Sequence, residues 1–427
     1  MQGVRLGLDR IRGFLDALGE PHRAYPVIHV AGTNGKGSVC ALVTASLVQA
    51  GYRVGTTLSP HLEHINERIQ IDGVPIDDAA LTEAIEHIDR ERWDWARSAG
   101  ISGNPLTYFE YMLAAAFLVF AQRQVDVAVI EVGLGGRLDA TNVVDPLVCA
   151  IPHVGLDHTE QLGSTLAEIA GEKAGIIKAG VPAVIGPLHA DARDVIVSWS
   201  KRQKAELWRA GPKMRREFRQ GRWSFATPVG VLSEVHLGLE GRHQGANALV
   251  ALGVLHRLRT LGFLIPDEAI RAGFSDPGLG GRIDRLLPGL VADGAHNIDG
   301  ATALAAWLAE QPRPETRILL WGMNEGRDSE SVIAPLLPHV DEVVTTRCAH
   351  PRAADPMSLA LALQDLDVVL AAGGDIEETL PEVYAEAHET LVAGSLFLAG
   401  AARSLVRDGA LAGLTPGERA GADVEGL

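Results

Sequence analysis

The run Val30-Ala31-Gly32-Thr33-Asn34-Gly35-Lys36-Gly37-Ser38 follows an apolar stretch at 25–30 and leads straight into a helix-like segment. A strand, a glycine-rich loop and a helix in that order form a cradle for a chain of phosphates. Gly32, Gly35 and Gly37 let the backbone turn tightly and aim successive N–H groups inward. Lys36 supplies a cation for the outer phosphates, and Ser38 offers a hydroxyl to a magnesium ion bound there. Thr33 and Asn34 complete the loop. Residues 39–50 carry Val39, Leu42, Val43 and Leu47 at helical spacing, which sets the loop at a positive helix N-terminus, with Gly51 as the expected C-cap. The match to the strict phosphate-loop pattern is incomplete. Val30 stands where the first glycine would fall, and Gly37 separates Lys36 from Ser38. A glycine-rich turn holding a chance lysine is the plain alternative.

At 427 residues the chain is too long for one core, so two domains are expected, 1–280 and 281–427. Hydrophobic residues at 47% and charged residues at 22% fit a soluble globular protein. A net charge of −16 argues against nucleic acid as a partner, although a local site can oppose the global sign. Three cysteines, Cys40, Cys149 and Cys348, form no C-x-x-C pair, which suggests reduced thiols and a cytoplasmic protein. Residues 1–18 do not read as a signal peptide. The most apolar stretch, 111–121, is too short to span a bilayer and reads as a buried helix, so no membrane partner is expected.

Short apolar runs alternate with helical patterns along the first half. Strands are expected at 26–30, 54–58, 125–131, 147–152 and 182–185, and helices at 39–50, 78–90, 109–123, 166–174 and 243–262. Such alternation predicts a parallel sheet covered on both faces. The basic stretch 200–240, with Trp208, Trp223 and Phe225 among its charges, could be a nucleic-acid patch. In an acidic chain, solvated strands and loops at the edge of an α/β unit are the better reading. A smaller Rossmann-like α/β pattern follows, with strands expected at 290–293, 317–321, 342–346, 368–371 and 395–399 and helices at 300–310 and 381–391. The fold class is therefore α/β: an N-terminal P-loop-type parallel-sheet ATPase domain and a smaller C-terminal Rossmann-like domain.

In a parallel sheet, ligands bind at the carboxyl ends of strands. Ser59-Pro60-His61, Glu131 with Gly133-Leu134-Gly135-Gly136, and Asp157-His158 all follow expected strands and would converge beside the phosphate loop. A hydroxyl and a carboxylate are hard ligands suited to magnesium, whereas imidazole is a less natural one. Glu131 as an ordinary strand-end carboxylate and His158 as a hydrogen-bonded loop histidine remain open alternatives. Asp293-Gly294-Ala295-His296-Asn297 opens the second domain at another strand end, with Arg282 just upstream.

These segments, together with Asn66-Glu67-Arg68-Ile69, the runs 131–142, 155–163 and 172–177, and His243 to Asn247, closely resemble the folylpolyglutamate synthase/dihydrofolate synthase family within the Mur ligases. The likeness spans nearly the whole chain in order. It implies an ATP-dependent amide ligase in which a substrate carboxylate takes the γ-phosphoryl group and the resulting acyl phosphate is attacked by the amine of L-glutamate. By this resemblance Ser59 and Glu131 hold one magnesium ion, and Glu131 and His158 a second. Lys173 is carried as a carbamate, although a surface helix lysine is what its position alone suggests. Asn247, Arg282, Asp293 and His296 contact the nucleotide held by Gly32 to Ser38. Lys36, Glu131, His158 and Lys173 are the expected catalytic set.

The resemblance also implies a dihydropteroate pocket built from Arg5, Leu6 and Gly7, from Thr107, Tyr108, Phe109 and Glu110, and from Leu138, Asp139 and Ala140. Phe109 could equally be core, and Glu110 a helix N-terminal charge. The expected substrates are ATP, L-glutamate and dihydropteroate or folates, acted on by a monomer. A Mur-type ligase for another carboxylate and a catalytically idle ATP-binding regulator are the alternatives. The chain departs from the family at Arg5, where an acidic residue is common, at Gly326, where Asp is common, and at Ile298, where Pro is frequent.

Overall fold

A computed structural model describes residues 7–211 and 213–417. The chain forms two compact units. The first comprises the chain through His61, Ile65–Gly238 and Gln244–Leu279. The second comprises Leu62–His64, Leu239–His243 and the chain from Gly280.

The first unit is built on strands β1 (Val27–Val30), β2 (Val54–Thr57), β3 (Gln70–Ile71), β4 (Val74–Pro75), β5 (Val127–Glu131), β6 (Pro146–Ile151), β7 (Ala183–Ile185) and β8 (Leu207–Arg209). Their order is β4-β3-β2-β5-β1-β6-β7-β8. β2, β5, β1, β6, β7 and β8 run parallel, and β3 and β4 add antiparallel at one edge. β1 and β5 are buried at every residue, as continuous apolar strands must be when both faces are covered. Helices α1 (Asp9–Ala17), α2 (Lys36–Gln49), α3 (Asp78–Ala99), α4 (Tyr108–Gln122), α5 (Thr159–Leu162), α6 (Leu166–Ala174), α7 (Ala190–Arg202), α8 (Gln244–Thr260) and α9 (Asp267–Ser275) supply the cover. One core joins Ile11 and Phe14 of α1, Ile88 of α3 and Phe117 of α4 to β1 and β5. Another sets Ile169 of α6 and Ile196 of α7 against β6 and β7. Helix α3 runs nine residues past its expected end at 90, to Ala99, where Gly100 takes φ 66 and closes it.

The basic stretch contributes β8 and a separate antiparallel sheet of β9 (Arg215–Arg219), β10 (Arg222–Thr227) and β11 (Gly230–Val235). Trp208, Trp223 and Phe225 are buried core residues and not stacking platforms for bases.

The second unit has strands β12 (Asp284–Leu287), β13 (Leu290–Ala292), β14 (Arg317–Trp321), β15 (Glu342–Arg347), β16 (Val369–Asp375) and β17 (Glu389–Ala393), in the order β12-β13-β17-β14-β15-β16. All but β12 run parallel. Helices α10 (Ile298–Ala309), α11 (Ser329–Ile333) and α12 (Pro356–Leu363) pack on one face, and α13 (Ile376–Glu386) and α14 (Leu396–Arg407) on the other. This is a doubly wound sheet. Two expectations fail here. The helix expected at 381–391 stops at Glu386 and gives way to β17, and the strand expected at 395–399 is the first turn of α14. The apolar run 390–399 is broken at Gly394, and Ser395 Oγ accepts the Phe397 N–H at 3.2 Å to start the helix. An apolar run of ten residues cannot by itself reveal that it is half strand and half helix.

Two short segments from earlier in the chain complete this unit. Leu62 packs into the core that α13 and α14 share, and Glu63 pairs with Arg403 (2.9 Å) and Arg407 of α14. Glu240 accepts from Arg285 at 2.7 Å and from Trp307 at 3.0 Å.

Candidate active site

In the first unit, β1 delivers the chain to the phosphate loop and α2 starts at Lys36, three residues earlier than expected, so Gly37 and Ser38 belong to its first turn. Gly35 takes φ 81 as the N-cap, and a Cβ there would lie 2.9 Å from Asn247 Cγ. Glycine is therefore required by conformation and by space, and α8 presses Asn247 against the loop. Gly37 is helical, and a Cβ on it would meet nothing within 4 Å, so the turn does not depend on it. Lys36 Nζ donates to the carbonyls of Gly32 (3.0 Å) and Thr33 (3.2 Å). Thr33 ties the loop to the segment after β6, through its N–H to His153 O (2.9 Å) and its hydroxyl to Gly155 O (3.0 Å). Asn34 is half-buried in the loop, and Ser38 is buried.

Glu131, at the end of β5, is buried and accepts the Ser59 N–H at 2.8 Å, while its own N–H donates to Thr57 Oγ1 at 3.2 Å. The fold thus joins the two residues expected to share a metal. Asp157, buried, takes the His158 N–H at 2.8 Å, and His158 holds φ 52 with its side chain 43% exposed. Lys173 closes α6 and is buried. Burial, and then the Lys36 charge, pull its pKa down to about 7, opposed by Asp157, Asp139 and Glu172. The glycine run after β5 fits between two walls. A Cβ on Gly133 would sit 2.6 Å from Phe109 Cζ, and one on Gly136 would sit 2.7 Å from Glu172 O. Among the described residues no three His, Cys, Asp or Glu side chains gather into a cation cage. The donors present, a hydroxyl, a carboxylate and an imidazole, fit magnesium that keeps water and phosphate oxygens in its shell.

The segments expected to hold a pterin also meet. Gly7 N–H donates to Leu138 O at 3.4 Å, and Ala140 lies in the same core as Phe109. Arg5 and Leu6 lie outside the described residues. The polar members of these motifs are engaged in the fold. Thr107 and Glu110 form a capping box on α4, and Glu110 also pairs with Arg10 of α1 at 3.2 Å. Asp139, whose carboxyl is pushed up by burial, accepts from Leu134 N–H (2.8 Å), Thr141 N–H (3.0 Å) and the Thr141 hydroxyl (2.5 Å). Tyr108 is exposed, with the Arg68 guanidinium 5.7 Å from its ring centre.

In the second unit, Asp293 follows β13 and accepts from the N–H groups of Ile283 and Ala295, both at 2.8 Å. Arg282 Nη1 donates to Gly281 O at 2.9 Å and lies beside Gly294. His296 Nδ1 lies 2.8 Å from Gly294 O, which makes Nδ1 the protonated nitrogen, and Asn297 caps α10. His243 joins this group: burial lowers its pKa, with Asp293 raising it and Arg282 lowering it. Sequence reasoning assigned no role to His243, Asp157 or Arg68, although each lies within a segment that carried the resemblance.

Residues 30–255 match the Mur ligase middle domain, and residues 281–403 the glutamate ligase domain of Mur ligases. The dihydrofolate synthase/folylpolyglutamate synthase of Mycobacterium tuberculosis is 37% identical over 93% of this chain and 89% of its own length. The chain belongs to the dihydrofolate synthase/folylpolyglutamate synthase family. It is an ATP-dependent acid–amino-acid ligase. Within this family, the Escherichia coli FolC structure in complex with DHPP and ADP superposes with a TM-score of 0.86 at 30% identity, covering 95% of this chain and 94% of that one. The Yersinia pestis bifunctional enzyme complexed with AMPPNP and a manganese ion gives 0.83 at 31% identity, covering 95% of both chains. No helix among the described residues is long and apolar enough to cross a membrane.

Proposed function

We propose that this ligase joins L-glutamate to dihydropteroate and to the γ-carboxylate of folates, and that Lys36, Ser59, Glu131, His158 and Lys173 carry the reaction. The observation that supports this most is the gathering of the phosphate loop, the Ser59–Glu131 pair and the buried Lys173 at the carboxyl ends of β1, β2, β5 and β6.

The loop amides and Lys36 hold the β- and γ-phosphates, and Asn247 braces the loop at Gly35. A substrate carboxylate oxygen bonds to the γ-phosphorus as the bond to ADP breaks. The amine of glutamate then attacks the acyl carbon, and phosphate leaves. Phosphoryl transfer of this kind is mostly positioning and charge neutralisation. Ser59 with Glu131, and Glu131 with His158, would hold two magnesium ions, which would supply the neutralising charge. Lys173, with its pKa near 7, has a neutral amine that can add to carbon dioxide. A nitrogen–carbon bond forms, a proton is released and the product is an anionic carbamate, which suits a position beside cations where an ammonium does not. Arg282, Asp293 and His296 are the nucleotide contacts proposed for the second unit.

The test is ADP release with magnesium-ATP and L-glutamate, offering dihydropteroate and tetrahydrofolate in separate reactions and weighing the products. Each accepted substrate gains one glutamate residue. Protein that binds ATP and forms neither adduct overturns the substrate assignment.

A further inference from the structure

Arg68 lies between β2 and β3 and is half-buried. It lines a small cleft whose other polar wall is Ser59 and Glu131 and whose apolar wall is Phe109, Met112 and Leu113 of α4. The cleft holds about 20 Å³, room for one group the size of a water or a carboxylate oxygen. Arg68 Nε donates to His61 Nδ1 at 2.9 Å, which fixes the guanidinium plane. Its two terminal NH2 groups make no hydrogen bond to any described residue, and no described carboxylate forms an ion pair with it. Burial lowers its pKa, opposed by electrostatic interaction with Tyr108, Glu131 and Glu67.

A partly desolvated guanidinium with no ion partner is unfavourable unless something else brings the anion. Glu131 lines the same cleft and accepts the Ser59 N–H, but no ion pair joins its carboxylate to Arg68. An arginine anchored at Nε presents its remaining donors as a planar fork, the shape that binds a carboxylate at two points. Phe109, packed against the glycine run at Gly133, gives the opposite wall an aromatic surface.

We infer that Arg68, oriented by His61, receives the carboxylate of the aryl acid substrate and presents it for phosphorylation beside Ser59 and Glu131. The inference rests on the substrate reading above and adds the group that recognises the reacting end. It also separates two halves of the site: Phe109 and its neighbours select the ring, and Arg68 selects the acid.

The experiment is calorimetric titration of wild type, R68Q and R68K with dihydropteroate, with the same molecule lacking its carboxylate, and with ADP. Loss of a charge-assisted pair weakens dihydropteroate binding by R68Q about 10- to 100-fold. Binding of the decarboxylated compound and of ADP stays within about twofold, and R68K recovers part of the loss. Equal losses for both aryl ligands, or no loss for either, overturn the inference, the first because it marks a packing role. Wild type that fails to bind dihydropteroate overturns the substrate reading, and this inference with it.

Discussion

Helices α2 and α4 both begin at a segment that carries the family resemblance, and their N-termini are finished in opposite ways. Helix α4 is closed by its own side chains: the Thr107 hydroxyl accepts the Glu110 N–H at 3.2 Å, and the Glu110 carboxylate accepts the Thr107 N–H at 2.8 Å. Helix α2 begins at a left-handed Gly35, with no side-chain cap. The first N–H groups of any helix need acceptors from outside it. In α4 the sequence itself supplies one, through the Thr107 hydroxyl. In α2 no side chain does so, which suits the phosphate site proposed there, with Lys36 and the helix field adding positive charge. A polar residue in a motif can thus serve the fold or the ligand, and the hydrogen bonds it already makes separate the two.

The largest effects are expected at the catalytic residues. Glu131→Ala lowers kcat/KM by at least about 10³-fold, with the circular dichroism of the native protein retained; near-normal turnover at low magnesium would remove Glu131 from the metal site. Lys173→Ala lowers activity by about 10²-fold, partly restored by short-chain carboxylates that replace the carbamate. In wild type the neutral amine of Lys173 grows as pH rises through about 7, so bicarbonate activation is greater at pH 8 than at pH 6, and carbon-13 NMR reports the carbamate. Lys173 also gives stability a slope of known sign. The unfolded chain keeps that proton up to 10.5 and the folded chain releases it near 7, so raising pH between those values favours the fold, and K173M flattens the slope in urea titrations.

A smaller effect is expected at the loop itself. Gly35→Ala forces a side chain into φ 81 and against Asn247, and weakens ADP binding about tenfold, read by titration. The smallest effect falls on the capped helix. Thr107→Ala removes one cap, which lowers stability by about 1 kcal/mol while the kcat for dihydropteroate stays within about twofold. A large kcat loss there would make Thr107 a ligand-facing residue after all.

The strands that carry the site were plain in the sequence, because β1, β5 and β6 are continuous apolar runs ending at motif residues. What could not be read was how each motif side chain is used. Asp139 and Glu110 look like ligand carboxylates until their backbone donors are counted. Helix α1 escaped because its nine residues carry only a short amphipathic stripe, Ile11, Phe14 and Leu15, that makes sense once α3 and α4 cover it. The boundary at Gly394 was missed because the apolar run continues through it and only the backbone changes. Arg68 and Asp157 sat inside recognised segments, but isolation from a counter-charge and burial are properties of three dimensions.

The second unit includes Leu62–His64, and this has a consequence for synthesis. These three residues leave the ribosome about 340 residues ahead of the α14 arginines that pair with Glu63. At roughly 5–20 residues per second, the segment waits on the order of 20–70 s for its partners. During that time the first unit can condense around a loop that is not yet packed. The nascent chain therefore passes through a stage at which Leu62 is available to a chaperone, and a fragment ended before Gly280 remains at that stage permanently.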